Sequence, residues 1–233
     1  MRRTFALLLC CLSFVAHAEQ DAGTMEEVSF MDQPPDAGGY VTRVLVTERY
    51  LRMDYGQDRD DYVLFDRQAH RVYNVVHDQR QIMVIEPGAV GIPKPEKWQV
   101  KEDVLAEERG QRTFDIQVNG ATCSRITASP TFLPDVARAL GDFNELMVAT
   151  QSATYLATPP EMRQPCDLAR YIFETRLWVK SGFPMYEADA DGSVRRLLSY
   201  QTAVPVRRGL FSLPDSYRTI RLRDMQGGAA AHP

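Results

Sequence analysis

The chain is poor in the residues on which most catalytic and redox chemistry depends. Among 233 residues there are four cysteines, four histidines and two tryptophans. No Cys-x-x-Cys pair occurs, which argues against a thiol–disulfide catalyst. There is no Gly-x-Ser-x-Gly elbow, no His-Glu-x-x-His helix and no phosphate-binding glycine loop. Beyond the N-terminus no apolar run approaches the roughly 20 residues that span a bilayer. A membrane-spanning role is therefore not expected.

The N-terminus carries the clearest signal. Arg2 and Arg3 precede an apolar stretch from Phe5 to Val15, and Ala16-His-Ala18 supplies small residues for cleavage. This is the layout of a secretory signal peptide over residues 1–18, and it predicts a periplasmic protein beginning at Glu19. Leu9 and Cys10 are the residues that precede the two signal cysteines, which disfavours lipidation. Without the signal, 25 basic residues face 31 acidic ones, a net charge of −6. A general phosphate-binding field, and hence a nucleic-acid partner, is not expected. Cys10 and Cys11 leave with the signal, so Cys123 and Cys166 remain as a disulfide pair in an oxidising compartment.

Strand patterns dominate the first half of the remaining chain. Leu51, Met53 and Tyr55 alternate with Arg52 and Asp54, predicting a strand with one dry face. Tyr62-Val-Leu-Phe65, Arg71 to Val76 and Arg80 to Ile85 continue a meander through short polar connections. Pro34 to Gly39 reads as a looser loop, and the proline-rich stretch Pro87 to Pro95 as a long crossing. Trp98 to Arg109, then Phe114, Ile116 and Val118, then Thr122 to Thr127 resume the strands, with Asn119-Gly120 as a tight turn. After Pro130 the period changes. Val136, Leu140, Phe143 and Met147 fall at helical spacing, widened by Leu133 and Ala137. Pro134 suits the first turn, Pro159-Pro160 ends the region, and a short helix is expected near Cys166 to Tyr171. Strands are then predicted at Phe173–Val179, Pro184–Ala188, Val194–Val204 and Thr219–Leu222, with Asp189-Ala-Asp-Gly192 as a hairpin turn.

These elements predict a mainly β, α+β architecture: a curved antiparallel sheet forming an open half-barrel covered by helices. The half-barrel spans residues 19–225 as one domain, with a flexible tail at 226–233. The succession of the Tyr62-Val-Leu-Phe-Asp66 and Val72-Tyr73 strands, the helical insert, Trp178 to Tyr186 and Leu210-Phe-Ser-Leu-Pro-Asp-Ser-Tyr217 resembles the periplasmic lipoprotein-carrier superfamily. Its uncharacterised small periplasmic members are the nearer match. The resemblance implies an unclosed barrel with an apolar cavity for acyl chains or for an apolar segment of a partner. It also implies an arginine that helps to handle the ligand; Arg43, which interrupts an apolar run in the second strand, is the candidate.

Candidate ligand-binding residues are therefore Arg43, Val136, Leu140, Phe143, Met147 and Trp178. No catalytic residue, metal ligand or cofactor is assigned. His70 and His77 lie an odd number of residues apart, on opposite faces of an ideal strand, and two ligands are fewer than a zinc site needs. Asp58, Asp60, Asp61, Asp189 and Asp191 read as solvated turn residues, and a hydrolase built on such carboxylates is the weaker reading. Arg195-Arg196 and Arg207-Arg208 read as solvated strand ends. The expected function is non-enzymatic binding of a lipid or other apolar molecule. The alternative is an envelope structural or stress-signalling protein, partnered with another protein, whose core is already filled.

Overall fold

A computed structural model describes residues 23–222 and residue 224. The signal peptide and the C-terminal tail read from the sequence lie outside the described residues. Among the described residues twelve strands form one open sheet, and these residues are mainly β, 43% strand and 21% helix. The first meander comprises β1 (Thr24–Gln33), β2 (Tyr40–Val46), β3 (Tyr50–Asp54), β4 (Tyr62–Asp66), β5 (Arg71–Val76) and β6 (Gln81–Ile85). A second comprises β7 (Val100–Glu108), β8 (Gln111–Val118), β9 (Ala121–Ser129), β10 (Phe183–Asp189) and β11 (Val194–Pro205). The long β11 pairs antiparallel with β1 and so joins the two meanders into one sheet. The last strand, β12 (Arg218–Arg221), returns to β6 in parallel register, which corrects the expectation of a wholly antiparallel sheet. It is parallel because the chain crosses a whole face of the sheet before pairing, so no hairpin constrains its direction.

The sheet therefore has two edges, β12 and β7. The first is four residues long. The second carries Lys101, Asp103, Glu107 and Glu108, charges that discourage edge-to-edge pairing with another chain. Asn119 and Gly120 both have positive φ, 51° and 86°, as the tight β8–β9 hairpin requires.

The helical insert lies between β9 and β10. It consists of α1 (Pro134–Ala157), a single 3-10 turn (Pro160–Met162), α2 (Pro165–Leu168), a π-helical turn (Ala169–Phe173) and α3 (Leu177–Lys180). The helix predicted after Pro130 is present with Pro134 in its first turn. The strand expected at Phe173–Val179 is absent: that segment holds the end of the π turn and α3. The physical reason is that β9 and β10 pair directly with one another, so no sheet position is left for it. Instead Trp178 packs down onto β8 and β9 with Phe114, Ile116 and Ile126. A disulfide joins Cys123 on β9 to Cys166 on α2, with a Cα–Cα distance of 5.3 Å.

One face of the first meander is covered by α1. Val28, Phe30, Val44, Val46, Leu51, Phe65 and Val72 pack there beneath Val136, Ala139 and Leu146. The opposite face is also covered. Residues 206–217 lie across it, burying Leu210 and Phe211 against Leu45, Leu64, Val75 and Ile82. This second cover overturns the expectation of a single dry face on β3, where Arg52 is 1% and Asp54 4% exposed. Arg52 is held by Asp54 at 2.8 Å and donates to the Leu210 carbonyl at 2.6 Å and the Asp58 carbonyl at 3.0 Å. Its guanidinium lies over the Tyr62 ring at 4.0 Å.

The insert leaves and rejoins the sheet through a crossing at which the two chain segments nearly touch. Gly182 has φ +115°, and a Cβ there would lie 2.2 Å from the Ser129 carbonyl oxygen. Only glycine combines that φ with that approach. Gly182→Ala is expected to destabilise the protein by at least about 2 kcal/mol, read from urea unfolding; an unchanged midpoint would refute the crossing. The Cys123–Cys166 bridge closes a loop of sequence separation 43. Replacing both cysteines with alanine is expected to cost about 4 kcal/mol by the chain-entropy model. Denaturant melts that coincide for the two forms would remove that role.

Candidate functional site

Where α1, the π turn and α3 meet the ends of β1, β10 and β11, they leave a cavity of about 380 Å³. One wall is apolar, formed by Met53, Leu140, Phe143 and Val179, with Trp178 behind them. The other wall is ionic. Its groups arrive on different elements, and strand register explains why they meet. Asp32 on β1 and Glu187 on β10 both lie opposite Arg195 of β11, the strand between them.

Arg195 donates to both oxygens of Asp32, at 2.5 and 3.2 Å, and lies 5.2 Å from the Phe30 ring centroid. Thr42 adds a hydrogen bond to Asp32 at 2.5 Å. Arg170, on the π turn, pairs with Glu187 and donates to both Asp189 oxygens at 2.8 and 2.9 Å. It also lies over the Trp178 ring at 5.2 Å. Ser124 links the two walls: its hydroxyl donates to Asp189 and accepts from Trp178 Nε1 at 3.0 Å.

The electrostatics follow from this crowding. Burial pushes the Asp189 carboxyl up, and the Glu187 and Asp191 charges add to that, against the attraction of Arg170. Nearby, Asp167 is also raised, chiefly by burial. On the remote β8–β9 hairpin the opposite holds: the bidentate Arg125 bond keeps Asp115 below its ordinary value.

Of the six ligand-binding candidates, three line this cavity: Leu140, Phe143 and Trp178. Val136 is fully buried in the core below α1, and Met147 packs against that same core. Arg43 is on the other side of the sheet. It shares a face with Leu45, under the 206–217 cover, and pairs with Asp54 through two bonds of 2.8 Å and with Asp58 at 2.8 Å. Arg43 is therefore not at this cavity: alternation along β2 puts it opposite to Val44, which faces α1.

Several residues read as solvated are engaged. Asp189 and Arg195 belong to the ionic wall, and Arg207 donates to both Asp58 oxygens at 3.0 Å. Asp60 and Asp61 do serve turns, accepting from the Gln57 and His77 backbone amides. His70 occupies a positive-φ turn position, and His77 Nδ1 lies 2.8 Å from the Tyr217 hydroxyl. Arg170, Glu187 and Asp32 were not nominated by the sequence. Glu187, a charge between Tyr186 and Ala188 within a strand, is the one such signal the sequence carried.

No protein-family model matches the chain, and no curated protein matches it. An uncharacterised conserved protein from Thermus thermophilus is similar in structure at 8% identity, with 85% of this chain and 91% of that chain covered and a TM-score of 0.41. PNGF-II is similar at 8% identity over 85% of this chain, TM-score 0.41, and there the match spans 31% of the other chain. Likenesses at this level carry no argument about ligand or activity.

Removing the guanidinium would leave Glu187 and Asp189 buried without their cation. Arg170→Leu is expected to cost about 3 kcal/mol at neutral pH. The Asp189 carboxyl, already raised, would then titrate higher still, so the variant loses stability as pH rises from about 4 and recovers it on acidification. Thermal unfolding of variant and wild type between about pH 4 and 8 reads this directly. An equal deficit at both ends of that range would contradict the charge account.

Proposed function

We propose that the chain is an exported, non-enzymatic periplasmic protein that holds an apolar molecule, such as a lipid or acyl chain, or an apolar segment of a partner. In this reading the open sheet is a half-barrel of the lipoprotein-carrier type, and the cavity under α1 is its binding site. The observation that carries the reading is that Leu140, Phe143 and Trp178, nominated for ligand contact, line one cavity of about 380 Å³. That volume lies at the lower end of the roughly 300–1,000 Å³ typical of small-molecule sites. Burial of a ligand's apolar surface there would contribute about 25 cal/mol per Å². The export signal at residues 1–18 and the Cys123–Cys166 bridge support an oxidising compartment.

A second reading, an envelope structural or stress-signalling protein with a filled core, is favoured by one feature. Much of the helix face is already occupied by Val136, Ala139 and Leu146 of α1. The two readings separate experimentally. Mass spectrometry of gently purified protein is expected to show a co-purifying small molecule, and a fluorescent fatty-acid probe is expected to bind and be displaced. Leu140→Trp, which fills the cavity, is expected to weaken the probe at least tenfold, equivalent to about 1.4 kcal/mol. Protein free of any ligand, with no probe binding, would favour the filled core.

A further inference from the structure

The cavity's ionic wall is unbalanced. Asp32, Glu187, Asp189 and Asp191 line it against only Arg170 and Arg195, a formal charge of −2. Both guanidiniums are already engaged: Arg195 spans the two oxygens of Asp32, and Arg170 serves Glu187 and Asp189 together. An anionic headgroup would have to displace a carboxylate from one of them. A cation would meet uncompensated negative charge in a partly desolvated cleft, where the field is least screened.

We infer that the ligand of this cavity is a monovalent organic cation, an ammonium group on an apolar body, with the ammonium towards Glu187, Asp189 and Asp191 and the body against Met53, Leu140 and Phe143. The inference rests on the cavity being a ligand site and adds the charge of what it holds. A metal ion is the poorer fit. No group of three or more His, Cys, Asp or Glu residues among the described residues is placed to bind one. Half the wall, moreover, is apolar and gains nothing from a bare ion. At about 30 Å³ per water-sized unit, 380 Å³ leaves room for a short alkyl chain and its headgroup.

Three probes of one length separate charge from shape: octylammonium, 1-octanol and octanoate, titrated calorimetrically into the full chain at low salt. Octylammonium is expected to bind at least about tenfold more tightly than the other two, and to weaken as salt rises. Asp191 is exposed and bonds only to Ser193 in its own turn, so Asp191→Asn is expected to leave the fold intact. That variant is expected to weaken octylammonium by about threefold while leaving octanol unchanged. Equal binding of octanol or octanoate would overturn the cationic assignment and leave the binding reading in place. Failure of all three probes would overturn both.

Discussion

A sheet with two faces to cover is the constraint on which the rest of this structure depends. A sheet of twelve strands cannot bury itself, and its strands carry apolar residues on both sides. The chain supplies α1 to one face and residues 206–217 to the other. The second cover has little regular structure of its own, so its backbone polar groups need partners from the sheet. Arg52 supplies one of them from within the core. It fixes Leu210 and Asp58 through their carbonyls and is itself neutralised by Asp54. A buried arginine is tolerable only when paired and hydrogen-bonded in this way. The extension of the pairing through Arg43, Asp58 and Arg207 ties β2, the β3–β4 loop and the cover into one network.

The cavity is a consequence of the same covering problem. α1 is long enough to fill the face of the first meander, but β9 and β10 are covered by shorter pieces: α2, the π turn and α3. The Cys123–Cys166 bridge holds α2 against β9, and Arg170 follows four residues later on the π turn. Gly141 lets α3 approach α1 closely, since a Cβ there would come within 3.1 Å of Val179. Between the long helix and the short ones the surface is incomplete, and the ionic wall faces that gap. The charges are arranged across strands, so their spacing depends on sheet register and hardly at all on neighbours in sequence.

Much of the fold was legible because local periodicity is a local property. The alternation at Phe114, Ile116 and Val118, the Asn119-Gly120 turn and the helical spacing from Val136 each depend on a few adjacent residues. The failure at Phe173–Val179 has the same origin. Leu177, Trp178 and Val179 suit either a buried strand or a helical turn, and the choice was made by the pairing of β9 with β10. The cavity-facing stripe was half legible for a related reason. Leu140 and Phe143 reach the cavity while Val136 and Met147 pack into the core, a division set by where the cover stops.

The sequence by itself determined the strand-rich composition, the helical insert and the choice of cysteines, because periodicity, proline placement and cysteine count act at short range or without geometry. Only the tertiary structure decided which face each residue serves. Arg43 went beneath the 206–217 cover because side chains alternate along β2. Asp32, Glu187 and Arg195 came together because β1, β11 and β10 are neighbours in the sheet although β1 lies far from the other two in the chain. Charges read one at a time look like solvated ends and turns. Their meaning appears when register sets them side by side and the helices take away the water.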